Sequence, residues 1–174
     1  MATFGNTTAG GDTFPNSGDR ALVSKFTLSE AGDVTEINAR FAGTATAGMN
    51  FKGLIYDDDG TAGAPGTRLA IGTATAVPAG GGVIASPITA SLAAGDYWLG
   101  YVCDSFQAEA DIETTGTLKR KEAHTYASPS TPWGTDSGVS TELCVYATYT
   151  PSGGGAYNAA PVLDTYYRMI GAKN

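Results

Sequence analysis

Apolar and polar residues alternate with a period of two along much of the chain, a pattern that predicts β-strands. In residues 21–28 the large apolar side chains fall mainly on one face, with Ser24 among them. A turn follows at residues 30–33, and residues 37–41 then alternate cleanly between apolar and charged or polar side chains. We therefore expect two half-buried strands that form a hairpin.

Residues 97–103 differ from the other predicted strands because both faces are apolar. Their side chains divide into one face with Tyr97, Leu99, Tyr101 and Cys103 and another with Trp98 and Val102. A strand that is apolar on both sides belongs in the middle of a sandwich or at an interface between subunits. Residues 141–150 return to simple alternation and close the predicted domain.

The remaining segments add short strands separated by glycine-rich and proline-rich turns. Pro87 cannot donate a hydrogen bond to a sheet, so its segment is expected at an edge or a bend. Residues 106–115 are the best candidate for a helix, although Glu109, Asp111 and Glu113 would share one face if the segment were a strand. About eight or nine strands at near-regular spacing predict an all-β, antiparallel two-sheet sandwich. It is expected to be jelly-roll-like, with an immunoglobulin-like order as the alternative.

The chain is expected to form one β-sandwich domain, residues 1–150, followed by a glycine-rich linker at 151–155. Residues 156–174 form a tail that is rich in apolar side chains. It is either a final strand or chain end, or an arm that contacts a neighbouring subunit or a capsid protein. The candidate contact residues in the tail are Tyr157, Val162, Leu163, Tyr166, Tyr167, Met169 and Ile170.

Charge changes the picture by disfavouring nucleic acid as a partner. The 174 residues carry a formal net charge of −7, and the one basic cluster, Lys119–Lys121, is followed at once by an acidic residue. No apolar run approaches the roughly 20 residues that span a bilayer. The first residues lack the basic and apolar regions of a secretory signal, so we expect synthesis and folding in the cytoplasm and no membrane partner.

Candidate catalytic and metal-ligating residues are few. The single histidine, His124, lies in a polar segment whose neighbours are expected to be exposed, which disfavours a nucleophile–base pair. Cys103 and Cys144 lack zinc-ligand spacing and are interpreted as small buried side chains, with a disulfide left open. The acidic run Asp57–Asp59 partly resembles a calcium loop but lacks its spaced ligands, and a metal-free hairpin loop is favoured. We expect no enzyme activity, no metal and no cofactor.

Trp133 is a candidate binding residue because it lies in a loop of proline, glycine and serine residues. An aromatic side chain at such a position can stack on a sugar or anchor a protein contact. Together with Tyr126 and Asp136 it is the candidate site for a glycan. The alternative is that Trp133 packs back over the end of the sandwich.

Three segments, 24–37, 55–70 and 92–104, together resemble a widespread β-sandwich module. They contain "SKFTLSEAGDVTEI", "IYDDDGTAGAPGTRLA" and "LAAGDYWLGYVCD". The module occurs in bacterial surface proteins and phage virion proteins, and the resemblance extends from about Phe4 to Thr150. The shared motifs are turns and core positions, so they specify fold better than function. The resemblance implies a scaffold role for the acidic loop and transfers no catalytic residue.

A free-standing sandwich of this kind resembles a phage structural protein, released by lysis. The resemblance implies a virion accessory protein, either a capsid decoration (cement) protein or a fibre component. Its partners would be the major capsid protein or other virion proteins, and it would form a homo-oligomer, with a trimer as one option. The alternative is a carbohydrate-binding or surface-adhesion module that recognises host glycans.

Overall fold

The computed structural model describes residues 1–15, 18–106, 109–114, 119–134 and 137–153, and for 119–123, 137 and 139 it describes the backbone alone. These residues form two antiparallel sheets packed face to face, which confirms the predicted all-β two-sheet sandwich. In the described part of the chain there is no α-helix, and one 3₁₀ helix covers Thr61–Gly63.

Sheet A contains seven strands. They are β1 (Ala2–Gly5), β2 (Asp12–Pro15), β4 (Gly32–Phe41), β8 (Gly82–Leu92), β10 (Glu109–Glu113), β13 (Glu142–Leu143) and β14 (Val145–Pro151). The order is β1-β14-β4-β10-β13, with β8 on β4 and β2 on β10.

Sheet B also contains seven strands. They are β3 (Arg20–Leu28), β5 (Met49–Asp57), β6 (Arg68–Ile71), β7 (Thr75–Val77), β9 (Gly95–Cys103), β11 (Lys119–Ala123) and β12 (Ser137–Val139). The order is β12-β11-β3-β9-β5-β6, with β7 also pairing with β5.

The predicted hairpin between β3 and β4 is wrong. β3 pairs with β9 and β11 in sheet B, whereas β4 pairs with β14 and β8 in sheet A. The alternation was read correctly, since Leu28 and Val34 both point into the core. A period of two shows which face of a strand is buried, but two such faces can meet across a sandwich as well as lie side by side.

The chain crosses from one sheet to the other between each successive pair of the long strands β3, β4, β5, β8 and β9. In the immunoglobulin order, several sequential strands are instead neighbours in the same sheet. The observed crossings therefore favour the jelly-roll-like arrangement.

The candidate helix at residues 106–115 is also wrong, because Glu109–Glu113 is strand β10. Ala110 and Ile112 are buried in the core, and Glu109, Asp111 and Glu113, which alternate with them, lie on the opposite face. This outcome agrees with the alternative of a strand with its carboxylates on one side. Pairing with β2, β4 and β13 outweighs the weak local helical pattern.

The main core lies between the sheets and is centred on three aromatic rings. Phe41 from sheet A meets Phe51 and Tyr101 from sheet B, with ring centroids 5.0 and 5.1 Å away. Aromatic pairs at such separations add to the free energy gained from burial alone. The Tyr101 hydroxyl is buried, and no described residue forms a hydrogen bond with it.

Two buried serines connect the sheets through the core. The Ser24 hydroxyl of β3 accepts a hydrogen bond from the Leu143 N–H of β13 at 3.0 Å. The Ser86 hydroxyl of β8 accepts from the Gly53 N–H at 2.9 Å and donates to the Thr73 carbonyl at 2.8 Å. Each serine thus provides a hydrogen-bond acceptor for a buried backbone N–H group that donates to it and not to a paired strand.

Pro87 lies next to Ser86 on β8, whose one partner strand among the described residues is β4, and the β4–β8 register shifts between Val34 and Glu36. This confirms the expectation of an edge or a bend. The Pro87 carbonyl accepts from the Thr73 N–H, so sheet B also contacts β8 at this corner.

We predict that Ser86→Ala lowers the free energy of unfolding by about 1–3 kcal/mol, because it leaves the buried Gly53 N–H without its acceptor. Urea unfolding measures the change. Tyr101→Phe is the matched control, since it removes a buried hydroxyl without breaking a hydrogen bond to a described residue, and it should cost less than about 1 kcal/mol. Equal losses in the two variants would contradict the role given to Ser86.

Candidate functional site

The outer face of sheet B is covered by a segment of the same chain. We call residues 124–133 the strap. Beneath it lies a second apolar cluster, separate from the main core, formed by Ala21, Val23, Leu54, Tyr56, Trp98, Val102 and Trp133. The second apolar face of β9, noted in the sequence, is therefore buried by the strap, while its first face contributes to the main core.

Hydrogen bonds attach the strap at both ends. At its start, Asp19 accepts from the His124 N–H through its carbonyl at 2.8 Å and from the Tyr126 N–H through its carboxylate at 2.6 Å. At its end, the Trp133 N–H donates to the Gly66 carbonyl at 2.8 Å. The strap is therefore tied to the chain before β3 and to the loop before β6.

Two side chains of sheet B hold the middle of the strap. The Tyr56 hydroxyl donates to the Ser130 carbonyl at 2.8 Å, and the Arg68 guanidinium donates to the Pro129 carbonyl. The Arg68 N–H also donates to the Thr131 hydroxyl at 3.0 Å. The sequence patterns do not identify Tyr56 and Arg68 as functional residues. The sequence signal that could have found them is the second apolar face of β9. Such a face requires a covering segment, and side chains of the neighbouring strands must bind that segment.

The structure packs Trp133 inward, with 6% of its surface exposed. Its ring lies edge-on to Tyr56, with centroids 4.9 Å apart, and 4.5 Å from the ring of His124. This arrangement matches the alternative in which Trp133 packs back over the sandwich. Sugar stacking needs an open ring face, and the buried ring of Trp133 is not arranged for that role.

The other two candidate glycan residues do not complete a site around Trp133. Tyr126 is half-buried beneath Lys52, whose ammonium lies 4.4 Å from the ring centroid. Asp136 lies outside the described residues.

A cleft of about 270 Å³ forms where the end of the strap meets the acidic loop. Its lining includes Asp59, Thr61, Thr67, Pro132 and Trp133. In the sequence, the acidic loop and the tryptophan loop are separate features that lie far apart. Their contact depends on long-range hydrogen bonds between the strap and residues 66–68, which no local pattern shows.

The three acidic residues of the loop have different partners. Asp59 accepts from the Thr67 N–H and hydroxyl at 2.6 and 2.7 Å, and the backbone hydrogen bond is the main reason that the pKa of Asp59 lies below its usual value. Asp58 accepts from the Trp98 indole N–H at 2.8 Å and pairs with Lys25. Asp57 accepts from the Asp58 N–H. Among the described residues, no group of His, Cys, Asp and Glu side chains is arranged to hold a metal ion.

His124 is buried with 2% of its surface exposed, so the expectation of an exposed position is wrong. The polar residues around it in the sequence indicated solvent, but the histidine directly follows β11 as the first residue of the strap, and its ring packs against Tyr56 and Trp133. Burial and the nearby charge of Arg68 lower the pKa of His124 to about 4. The imidazole is therefore neutral at neutral pH.

Cys103 and Cys144 are both buried, as predicted, and no disulfide joins them. Cys103 belongs to β9 in sheet B, and Cys144 lies between β13 and β14 in sheet A. Burial and the acidic groups around Cys144, Glu113 foremost, raise its pKa to about 11. Its thiol is therefore protonated, and unreactive as a nucleophile, at neutral pH.

The outer face of sheet A differs from that of sheet B. Within the described residues, neither apolar cluster covers it, and exposed side chains on its edge strands include Thr3, Val83, Pro87, Thr89 and Ser91. In its centre, the Asn38 amide donates to the Thr148 hydroxyl at 2.9 Å.

The chain leaves sheet A at the end of β14. Pro151 pairs with Gly32, and the Ser152 N–H donates to the Ala31 carbonyl at 2.9 Å. The predicted contact residues of the tail, from Tyr157 to Ile170, lie outside the described residues.

In the part of the chain that the structure describes, no helix is long and apolar enough to cross a membrane. Comparison of the chain with protein-family models, curated protein sequences and solved structures finds no significant match.

We predict that Asp58→Ala lowers the free energy of unfolding by about 1–3 kcal/mol, because the buried Trp98 indole N–H loses its acceptor. Chemical denaturation measures this change. Asp96→Ala is the control, since Asp96 also pairs with Lys25 but is more exposed, and it should cost no more than about 1 kcal/mol. A loss in Asp96→Ala as large as that in Asp58→Ala would show that the ion pair, and not the indole hydrogen bond, carries the effect.

Proposed function

We propose that this protein is a non-enzymatic accessory protein of a phage virion, either a capsid decoration protein or a fibre component. It binds the repeating surface of the particle, where its partners are the major capsid protein or other virion proteins. It is made in the host cytoplasm and acts as a homo-oligomer. The resemblance of segments 24–37, 55–70 and 92–104 to the module of phage and bacterial surface proteins is the sequence observation behind this proposal.

The single structural observation that carries the proposal is the difference between the two outer faces. The face of sheet B is closed by the strap, whereas the face of sheet A has no cover among the described residues. On that open face lie Asn38, Ala85, Tyr146 and Thr148, together with charged side chains that include Glu36, Arg40 and Asp111. An uncovered face of polar and charged side chains suits weak contacts that are repeated over a lattice, where many such contacts together give high avidity.

The position of the last strand supports a role for the tail. β14 lies between β1 and β4 inside sheet A, so residue 153 follows a strand that is held on both sides. A segment that begins there is tethered to a rigid body beside the open face. Binding by the tail would bring this face to the same particle at a high effective concentration.

Phage particles purified from the lysate in which the protein is naturally produced should contain it in many copies. Truncation after Gly153 should abolish binding to particles that lack the protein, while the sandwich stays folded, because both apolar clusters lie within residues 1–153. Co-sedimentation measures binding, and thermal unfolding checks the fold. Absence of the protein from purified particles, or full occupancy by the truncated chain, would contradict the proposal.

A second candidate function is glycan recognition at the cleft. The observation in its favour is that Asp59, Thr61, Thr67 and Trp133 line one cleft. Polar residues beside an aromatic residue are typical of a site for a small polar ligand.

If the cleft binds glycans, Thr61→Val and Trp133→Phe should weaken binding to an array of bacterial surface oligosaccharides by at least about tenfold. Truncation after Gly153 should leave that binding unchanged. Particle binding should show the reverse dependence, so the same three proteins separate the two functions. The absence of array binding by the unaltered protein would exclude the glycan function for the oligosaccharides tested.

A further inference from the structure

His124 connects the two halves of the strap. Its Nδ1 accepts a hydrogen bond from the Ser130 N–H at 2.8 Å, so this nitrogen carries no proton in the structure. The imidazole ring packs against two aromatic groups, with its centroid 4.5 Å from that of Trp133 and 6.3 Å from that of Tyr56. The observed position therefore requires a neutral ring that acts as an acceptor.

Charged and titratable side chains of the strands beneath the strap already bind its backbone. From β6, the Arg68 guanidinium already binds the Pro129 carbonyl, and its charge acts against protonation of His124. From β5, Lys52 donates to the Tyr126 carbonyl and the Tyr56 hydroxyl donates to the Ser130 carbonyl. Before β3, the Asp19 carboxylate accepts from the Tyr126 N–H.

We propose that the strap is a pH-sensitive latch: protonation of His124 in mild acid releases residues 124–133 from sheet B, while the two sheets stay folded. Protonation at Nδ1 removes the acceptor of the Ser130 N–H and places an imidazolium close to the Arg68 guanidinium. Both effects act on the strap. The main core between the sheets contains no histidine, because His124 is the single one in the chain.

The direction of the effect follows from proton linkage. An open strap exposes His124 to water, where its pKa returns to near 6.5, whereas the closed strap holds the pKa at about 4. Between these values the open form binds more protons, so the closed form loses stability as the pH falls from 6.5 towards 4. Lowering the pH from 7.5 to 4.5 should multiply the ratio of open to closed strap by about 70.

Hydrogen exchange followed by mass spectrometry on the full chain tests the latch. After correction for the intrinsic pH dependence of exchange, peptides covering residues 124–133 should lose about 70-fold in protection between pH 7.5 and 4.5. Peptides covering β9 should keep their protection. An equal loss in β9 would show global unfolding and would overturn the proposal.

Two variants identify the group that titrates. His124→Asn replaces the imidazole with an amide whose oxygen can accept from the Ser130 N–H but does not titrate, so the protection of its strap should be independent of pH. Arg68→Gln removes the neighbouring charge and should reduce the loss of protection. An unchanged pH dependence in His124→Asn would assign the effect to carboxylates and overturn the latch.

A measurement on the unaltered protein keeps the test valid if a variant fails to fold. Because the chain has one histidine, the imidazole Cε1 proton gives one assignable signal in an NMR pH titration. The signal should titrate well below pH 6.5 at a temperature where the strap is closed. Titration near pH 6.5 with a closed strap would overturn the proposal.

Discussion

The two-sided burial of β9 is the constraint on which the rest of the structure depends. This strand lies between β3 and β5, and its residues alternate between the main core and the cluster on the outer face of sheet B. A sandwich can bury only one face of a strand, so the other face needs an additional layer. Residues 124–133 supply that layer. At Gly100 a side chain would collide with the Leu22 carbonyl, because the ideal Cβ lies 1.9 Å from its oxygen, so glycine is also required for the close pairing with β3.

The two apolar clusters differ in the elements that enclose them. This difference separates the sandwich from the strap, the segment that we propose responds to pH. The main core is enclosed by paired strands, and hydrogen bonds to the hydroxyls of Ser24 and Ser86 connect the two sheets across it. The smaller cluster is closed by a segment without strand pairing, attached through side chains of Tyr56 and Arg68 and through backbone contacts. Opening of the strap requires the loss of fewer contacts than global unfolding. When the pH falls, we therefore expect the strap to open before the sheets unfold.

Sequence patterns predict a property that is local to a residue, but not one that depends on the strand or segment packed against it. Pro87 was placed at an edge because a missing N–H is a property of the residue itself. The β3–β4 hairpin failed because alternation does not identify the neighbouring strand, and residues 106–115 failed as a helix because pairing outweighed local preference. His124 was expected at the surface, since the residues next to it are polar, but its surroundings come from β5, β6 and the end of the strap. The buried Ser24 was an unused signal: a hydroxyl on an otherwise apolar face requires a hydrogen-bond partner across the core.

By itself, the sequence determined that the chain forms strands, which face of most strands is apolar, and that β9 must be covered on both sides, because these properties follow from the residues in each segment. Only the tertiary structure decided that this cover is the strap, that the Trp133 loop meets the Asp59 loop in one cleft, and that His124 accepts from Ser130 beside Arg68. The physical reason is that alternation constrains the direction of each side chain, whereas the partner it meets depends on long-range packing and hydrogen bonds between segments far apart in the chain.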